Sequence, residues 1–515
     1  MKAQDYKISS ELFTFHKTDG NIHDTKLETK PMSYFQDALH RFSRNKGSIF
    51  AAFIIALLVL FAIFGPMLTP YSVSYEDVNY SVVLPKIKFF YDNGIEFWDG
   101  GKNLVQSEAY YMEKLAIQTE TGRPVFIGDV EKVEEKYMGK TRVRYSLRLD
   151  TYNAVGVVFD KLTDEEYKDI QAYQDRTGIQ VILPITDPKQ RPTVVQDQKN
   201  PNIWYKTKVG AGNKTEIVLD ENGDFINIYK LDDGTDQYTS TVYHEGNEKL
   251  YSYGIFESDT WTVRVDYQAY YTYYHTEVLK DGITEPLHIF GADKYGKDIF
   301  VRLSSGARFS FILAVIVSTV NLFVGAIYGS IEGYYGGKID IIMERFAELL
   351  SSIPFMIVIT LLKYHLDVSH MVVLFISFFL TGWTGMAART RMQFYRFKNQ
   401  EYVLVARTLG AKDSRIMFKH IFPNAIGTLI TGSVLVIPGV IFSETSLSYL
   451  GIIDLNSGNM TSVGTLLAAG QNALQTSPHI IIFPALFISL LMLSFNLFGN
   501  GLRDAFNPSL RGTED

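Results

Sequence analysis

Residues 389–424 read RTRMQFYRFKNQEYVLVARTLGAKDSRIMFKHIFPN. Eight basic side chains (Arg389, Arg391, Arg396, Lys398, Arg407, Lys412, Arg415, Lys419) stand against two acidic ones, Glu401 and Asp413. Long apolar runs flank the stretch, and a basic loop between membrane spans faces the cytoplasm. Residues 402–409 have few helix breakers, Gly410 is placed to end a turn, and 412–420 can form a second short helix. Pro423 sits where the next span begins. The expected shape is helix, glycine turn, helix, lying under a membrane bundle and suited to docking another protein.

Outward from this stretch the chain splits by polarity. Its 515 residues carry a net charge of −7 and are 46% hydrophobic. Six apolar runs are expected to span a bilayer, which takes about 20 residues each: 48–68, 309–331, 346–362 (interrupted by Pro354), 371–388, 425–442 (with Pro438) and 479–502 (with Pro484). Proline is tolerated inside spans because neighbouring helices satisfy the freed backbone groups. Arg41, Arg44 and Lys46 precede the first run, so the N-terminus is expected inside, and residues 1–46 show no secretory signal pattern. Six spans bring the C-terminus inside too. They also place 389–424 inside, independently of its own charge.

Residues 71–287 are polar, with acidic residues in excess and no spanning run. Alternation predicts strands at 141–149, 179–185 and 261–274. A helix is predicted over 164–177, opened by Thr163 as cap, then Gly178 and a strand. Residues 113–126 show a similar helix-Thr-Gly-strand order, which is compatible with a duplication without requiring one. The expectation is an α+β domain, set outside the cell by the first span.

Zero cysteines exclude disulfides and thiolate metal sites. Net acidity speaks against a nucleic-acid partner. The chain has neither an HExxH zinc pattern nor a Gly-x-Ser-x-Gly elbow. Residues 209–215 (VGAGNKT) imitate a phosphate loop but lack the Gly-Lys-Thr contiguity, so the chain is not expected to hydrolyse ATP alone. A bundle of Pro- and Gly-broken spans suits transport. Glu444, just after the fifth run, either lines the pathway as a gate or pairs with a neighbouring helix. Glu344, Arg345 and Glu348 are expected to pair along one helix face. Asn321 is expected to bond between helices. Trp261, Tyr267, Tyr270 and Tyr271 are expected to pack in the outer domain.

Residues 288–298 (HIFGADKYGKD) resemble the His-Pro-Phe-Gly-Thr-Asp-x-x-Gly-Arg-Asp segment of ABC importer permeases for oligopeptides, dipeptides and nickel. Ile289, Ala292 and Lys297 depart from it. Residues 306–310 (GARFS), 333–337 (GYYGG), 447–451 (LSYLG) and 495–504 (FNLFGNGLRD) resemble further segments in the family's order, that of its C-type subunit. Within 401–424, Glu401-Tyr-Val, Ala406-Arg-x-Leu-Gly410-Ala and His420-Ile-Phe-Pro423-Asn resemble the cytoplasmic EAA loop. The likeness covers 33–70 and 288–511 and leaves 71–287 as an insertion.

The resemblance implies an all-α polytopic membrane protein, six transmembrane helices in the type I ABC importer permease fold, with an inserted extracellular α+β domain. The implied division is 1–47 cytoplasmic segment, 48–70 first helix, 71–287 insertion and 288–511 permease domain. It implies a non-catalytic subunit of an ATP-driven peptide importer, forming half of the translocation pathway in the cell membrane. The implied partners are a homologous second permease, two ATPases that bind ATP and magnesium, and an extracellular peptide-binding lipoprotein; this chain itself holds no cofactor and no metal. Glu401, Ala406, Arg407, Gly410, Ala411 and Pro423 would form the ATPase-coupling loop. Leu404 and Val405 stand where the EAA triplet has Glu and its first Ala, which removes a charged contact and leaves an apolar helix face. Two other readings are a permease for nickel or another small solute and, from a different class, a membrane-anchored sensor.

Overall fold

The computed structural model describes residues 34–137, 140–186, 194–196, 204–209, 215–217, 221, 241–243, 249–455 and 460–506. Helix α1 (Tyr34–Arg44) is followed by α2 (Lys46–Phe64), which opens where the Asn45 side chain accepts the Ser48 N–H. Phe42 of α1 packs edge-on against Phe498 near the far end of the chain, centroids 5.2 Å apart.

The insertion is built on two copies of one β-α-β-β unit. The first runs β1 (Gly101–Ser107), α3 (Glu108–Thr121), β2 (Glu131–Tyr137) and β3 (Lys140–Asp150), with strand order β1-β3-β2. The second runs β4 (Val157–Leu162), α4 (Asp164–Thr177), β5 (Ile182–Leu183), β6 (Gly254–Glu257) and β7 (Thr260–Asp266), with order β4-β7-β6 and β5 beside β7. The registers coincide: Gly101 faces Asp150 as Val157 faces Asp266, and Phe126 faces Leu149 as Ile182 faces Val265. Asp150 N–H donates to Val125 O at 2.9 Å, and Asp266 N–H to Val181 O at 2.8 Å. Both helices end on a left-handed glycine, Gly122 (φ 68°) and Gly178 (φ 71°), a conformation without steric cost only for glycine. Thr163 and Glu166 form a full capping box at the start of α4. The units are tied across by Arg123 to Asp266 and by Arg264 to Glu120, the latter at 2.6 Å.

One predicted strand ends early. Within 261–274 only Thr260–Asp266 is extended, and Tyr267–Tyr273 is helical. The Asp266 side chain accepts the Gln268 and Ala269 N–H groups, so an N-cap overrides the alternating pattern. Tyr267, Tyr270 and Tyr271 pack in the domain's cores, and Trp261 stacks on Tyr167 at 4.2 Å. Residues 210–214 of the imitation phosphate loop lie outside the described residues.

The longer helices that follow the insertion are α5 (Ile299–Tyr335), α6 (Gly337–Ser351), α7 (Phe355–His365), α8 (His370–Phe397), α9 (Glu401–Thr408), α10 (Phe422–Val434), α11 (Val436–Tyr449), α12 (Val463–Gln471) and α13 (His479–Ala505). Among the described residues five helical stretches are long and apolar enough to cross a membrane: Lys46–Met67, Ile299–Tyr335, His370–Phe397, Asp413–Tyr449 and His479–Ala505. The expected third span is instead two helices, α6 and α7, bent by 73° where Pro354 caps α7; counted as one broken span, they make six.

The expected 389–424 loop is also shorter. Residues 389–397 continue α8 as helix, and Asp413 onward belongs to the Asp413–Tyr449 stretch through a π-turn, Ile416–Ile421, just ahead of Pro423. A change from apolar to basic sequence marks where the membrane ends, and a helix can run past that point. Close packing holds α5 to α8. A Cβ on Gly325, Gly329 or Gly333 would lie 2.7, 2.1 or 2.8 Å from backbone oxygens of Trp383, Ala387 or Arg391. Small residues repeating every four positions let two membrane helices approach this closely.

Candidate functional site

Helix α9 starts after Gln400 and ends in a Schellman motif. Ala411 N–H donates to Ala406 O at 3.1 Å and Gly410 N–H to Arg407 O at 3.0 Å, with Gly410 at φ 78°. One face of α9 is fixed to the bundle. Val403 is fully buried in a cluster with Tyr334 of α5 and Phe394 of α8 beside Ile416 and Met417, and Ala406 on the same side of α9 is also buried. The Tyr334 hydroxyl donates to Asp413 at 2.6 Å, and the Arg407 guanidinium lies 5.7 Å from the Tyr334 ring. Asn424 Nδ2 donates to the Tyr402 hydroxyl at 3.2 Å.

The opposite face is apolar and open. Val405 is 56% exposed and Leu409 82%, with Tyr402 and Leu404 beside them. Positions 402, 405 and 409 share one side of a helix. Of the residues singled out in the sequence, Glu401 and Arg407 are exposed, Ala411 is half-buried, and Pro423 is exposed at the start of α10. Ala406 is buried, on the side of α9 that Val403 packs into the bundle. Tyr402, Val405 and Leu409 form the free surface, and the signal that marks them is their 3–4 spacing opposite Val403 and Ala406.

Behind α9 sits an ionic clasp that the sequence did not reveal. Arg391 of α8 donates to both carboxylate oxygens of Asp340 (2.6 and 2.9 Å) and of Glu344 (2.7 and 2.9 Å), and Glu332 lies 3.4 Å away. Tyr395 also donates to Asp340. Carboxylate oxygens of the three acids lie within 4.8 Å of one another, and the one guanidinium offsets a single unit of their negative charge. Arg345 pairs with Glu348 along α6 at 2.6 Å as expected, while Glu344 turns to α8. Lys398 donates to Gly333 O at 2.9 Å, and burial pulls its ammonium below the ordinary lysine value. Burial likewise raises the Tyr402 phenol. Arg389, Arg396 and Arg503 line a recess of about 400 Å³ at this end of the bundle.

Glu444 lies inside α11, not after it, and is fully buried. Ser310 of α5 donates to it at 2.7 Å and Ser448 at 3.1 Å. Asn321 is buried against Gly382, and its Oδ1 has no hydrogen-bond partner among the described residues. At the opposite end, His288 Nδ1 donates to Asp298 at 2.8 Å, Asp293 pairs with Arg302, and Asp298 caps α5. This 288–298 segment seats the insertion: Ala292 N–H donates to Val83 O at 3.0 Å, and His479 Nε2 donates to Ala292 O at 3.2 Å.

The spans make this a multi-pass membrane protein, and α9 gives it an open apolar face on a helix clamped at one end of the bundle. The description "Binding-protein-dependent transport system inner membrane component" matches residues 321–512, and "N-terminal TM domain of oligopeptide transport permease C" matches 33–85. The chain is 44% identical over 224 residues to the oligopeptide transport system permease protein OppC of Bacillus subtilis (strain 168), covering 44% of this chain and 72% of the relative. It is 39% identical over 227 residues to OppC of Haemophilus influenzae, covering 44% and 72%. It is 39% identical over 228 residues to the dipeptide transport system permease protein DppC of Bacillus subtilis (strain 168), covering 44% and 69%. The chain belongs to this family of permease C subunits of oligopeptide and dipeptide transport systems.

Proposed function

We propose that the chain is a permease subunit of an ATP-driven peptide importer, forming half of the pathway with a homologous second permease. The observation that carries the coupling role is the free apolar face of α9, Tyr402, Val405 and Leu409, on a helix locked to α5, α8 and the fifth span. An ATPase gripping that face would move the spans as a rigid body. ATP and magnesium belong to that partner, and the relatives' names support peptide as cargo. The chain lies in the cell membrane with both termini cytoplasmic and with 71–287 outside. There the insertion stands over the pore mouth to receive a peptide-binding lipoprotein or the incoming peptide.

Val405→Asp with Leu409→Asp tests the reading in cells that depend on this transporter. Peptide uptake and co-purification of the ATPases are expected to fall together by at least tenfold while the chain still inserts. Normal uptake with normal co-purification would overturn the coupling role. Deleting 75–285 tests the insertion, and unchanged lipoprotein recruitment and uptake would remove its proposed role.

A further inference from the structure

Residues 88–98 (KFFYDNGIEFW) belong to the insertion and expose three large apolar side chains beside the exposed Asp92 and Glu96. Phe89 is 65% exposed, Phe97 60% and Ile95 41%. Water-facing loops seldom gather three such side chains, and a patch of this kind marks a partner surface. The segment ends on Trp98, whose ring stacks on Phe290 at 6.3 Å and on Phe483 at 6.0 Å, nearly parallel to both. Phe290 and Phe483 stack on each other at 4.1 Å. Phe483 lies in the first turns of α13, so the stack sits where that span ends.

Beneath the stack, a groove of about 670 Å³ runs between α2 and α13, lined only by Leu and Phe, among them Leu57, Phe61, Phe64 and Leu486. The groove is continuous with the outward faces of the two spans, where Leu57, Leu60 and Leu486 are each more than half exposed. In a chain that crosses a bilayer, such faces meet acyl chains. Aromatic side chains collect at the level where spans end because their rings suit the headgroup boundary. Lys88 at the start of the segment pairs with Glu285 at 3.0 Å, so this cation is neutralised by a neighbour.

We propose that 88–98 is an aromatic foot that seats the inserted domain on the bilayer. Phe89, Ile95 and Phe97 enter the leaflet on the insertion's side, and an acyl chain of the same leaflet fills the groove below Trp98. The foot fixes the tilt of the domain over the bundle, together with the 288–298 seat and the donation from Lys102 to Thr476 O at 3.2 Å. The inference rests on the chain spanning a membrane. It does not depend on which side the insertion occupies or on what is transported.

The absence of cysteine makes the test direct. Single variants Phe89→Cys, Phe97→Cys and Leu57→Cys, with Lys168→Cys on the acidic helix α4 as the water-side reference, are labelled with an environment-sensitive fluorophore. The full-length chain, in its complex, is placed in lipid nanodiscs, where both faces meet the aqueous quencher. Labels at 57, 89 and 97 are expected to be quenched several-fold more by nitroxide-bearing lipid than the label at 168, and several-fold less by iodide. Iodide quenching at 89 and 97 equal to that at 168 would overturn the proposal. Shielding of 57, 89 and 97 from both quenchers would overturn it as well, because a protein partner would then cover the foot. Peptide uptake enters none of these readings, so the transport role and the foot stand or fall separately.

Discussion

Gln118 and Gln174 hold the same place in two copies of one fold. Each side-chain carbonyl accepts the backbone N–H seven residues further on, from Val125 at 3.0 Å and from Val181 at 2.7 Å. Gln174 is almost fully buried and accepts a second bond from Ile182 N–H at 2.6 Å. Gln174→Ala would leave two buried donors without partners, at roughly 1–3 kcal/mol for each. Gln118→Ala would strand one, so its loss is expected to be about half as large. Thermal or protease-resistance midpoints of the insertion within the full chain check the ranking. Equal, negligible losses would show that the two helix–strand corners are not held this way.

Arg391 is expected to be the most sensitive charge in the bundle. Replacing it with Ala leaves Asp340, Glu344 and the buried Glu332 facing one another without a cation. Breaking a buried pair costs about 3–5 kcal/mol, and the partial exposure of Arg391 lowers this to on the order of 2–3 kcal/mol. Adding Glu332→Gln to Arg391→Ala removes one of the crowded charges and is expected to recover part of the folded yield. A double-mutant cycle on purified protein reads the coupling; strict additivity would argue against the clasp.

Glu444 tests as a fastener between helices. Glu444→Gln can still accept from Ser310 and Ser448 and is expected to keep folded yield and uptake near normal. Glu444→Leu loses both acceptors and is expected to destabilise the bundle by about 1–2 kcal/mol, the range for such bonds in membranes. If Glu444→Gln folds normally yet abolishes uptake, a role for the charge itself in the pathway replaces this one.

Gly410 holds the turn that ends α9. Any residue with a Cβ is strained at φ 78°, by roughly 1–2 kcal/mol. Gly410→Val is expected to leave membrane insertion intact while lowering ATPase co-purification and uptake, with Gly410→Ala intermediate. Co-purification and uptake assays on the two variants and the unaltered chain check the order.

The spans were legible because an unbroken apolar run of bilayer length is more surface than a water-soluble core of this size can cover. Helix α4 was legible because Thr163, Glu166 and Gly178 carry cap chemistry at its two ends. The duplication was visible only as two Thr-Gly helix ends. Its second copy is interrupted between Leu183 and Gly254, so the pairing of β4 with β7 joins residues about a hundred positions apart. Arg391 read as a loop cation, since its acidic partners lie about fifty positions away and meet it only when α5, α6 and α8 pack. Ala406 read as part of the docking surface, since a short helix with apolar residues on both sides does not announce which side is covered.

Hydropathy, charge asymmetry and local caps thus sufficed for the membrane class, for the resemblance and for where α4 and α9 end, because each rests on interactions within a few residues or with the solvent. Which face of α9 is free, what Arg391 and Glu444 touch, and where Trp98 rests depended on tertiary structure. Those contacts follow from the rotational phase and close approach of helices distant in the chain, set here by Gly325, Gly329 and Gly333 against α8.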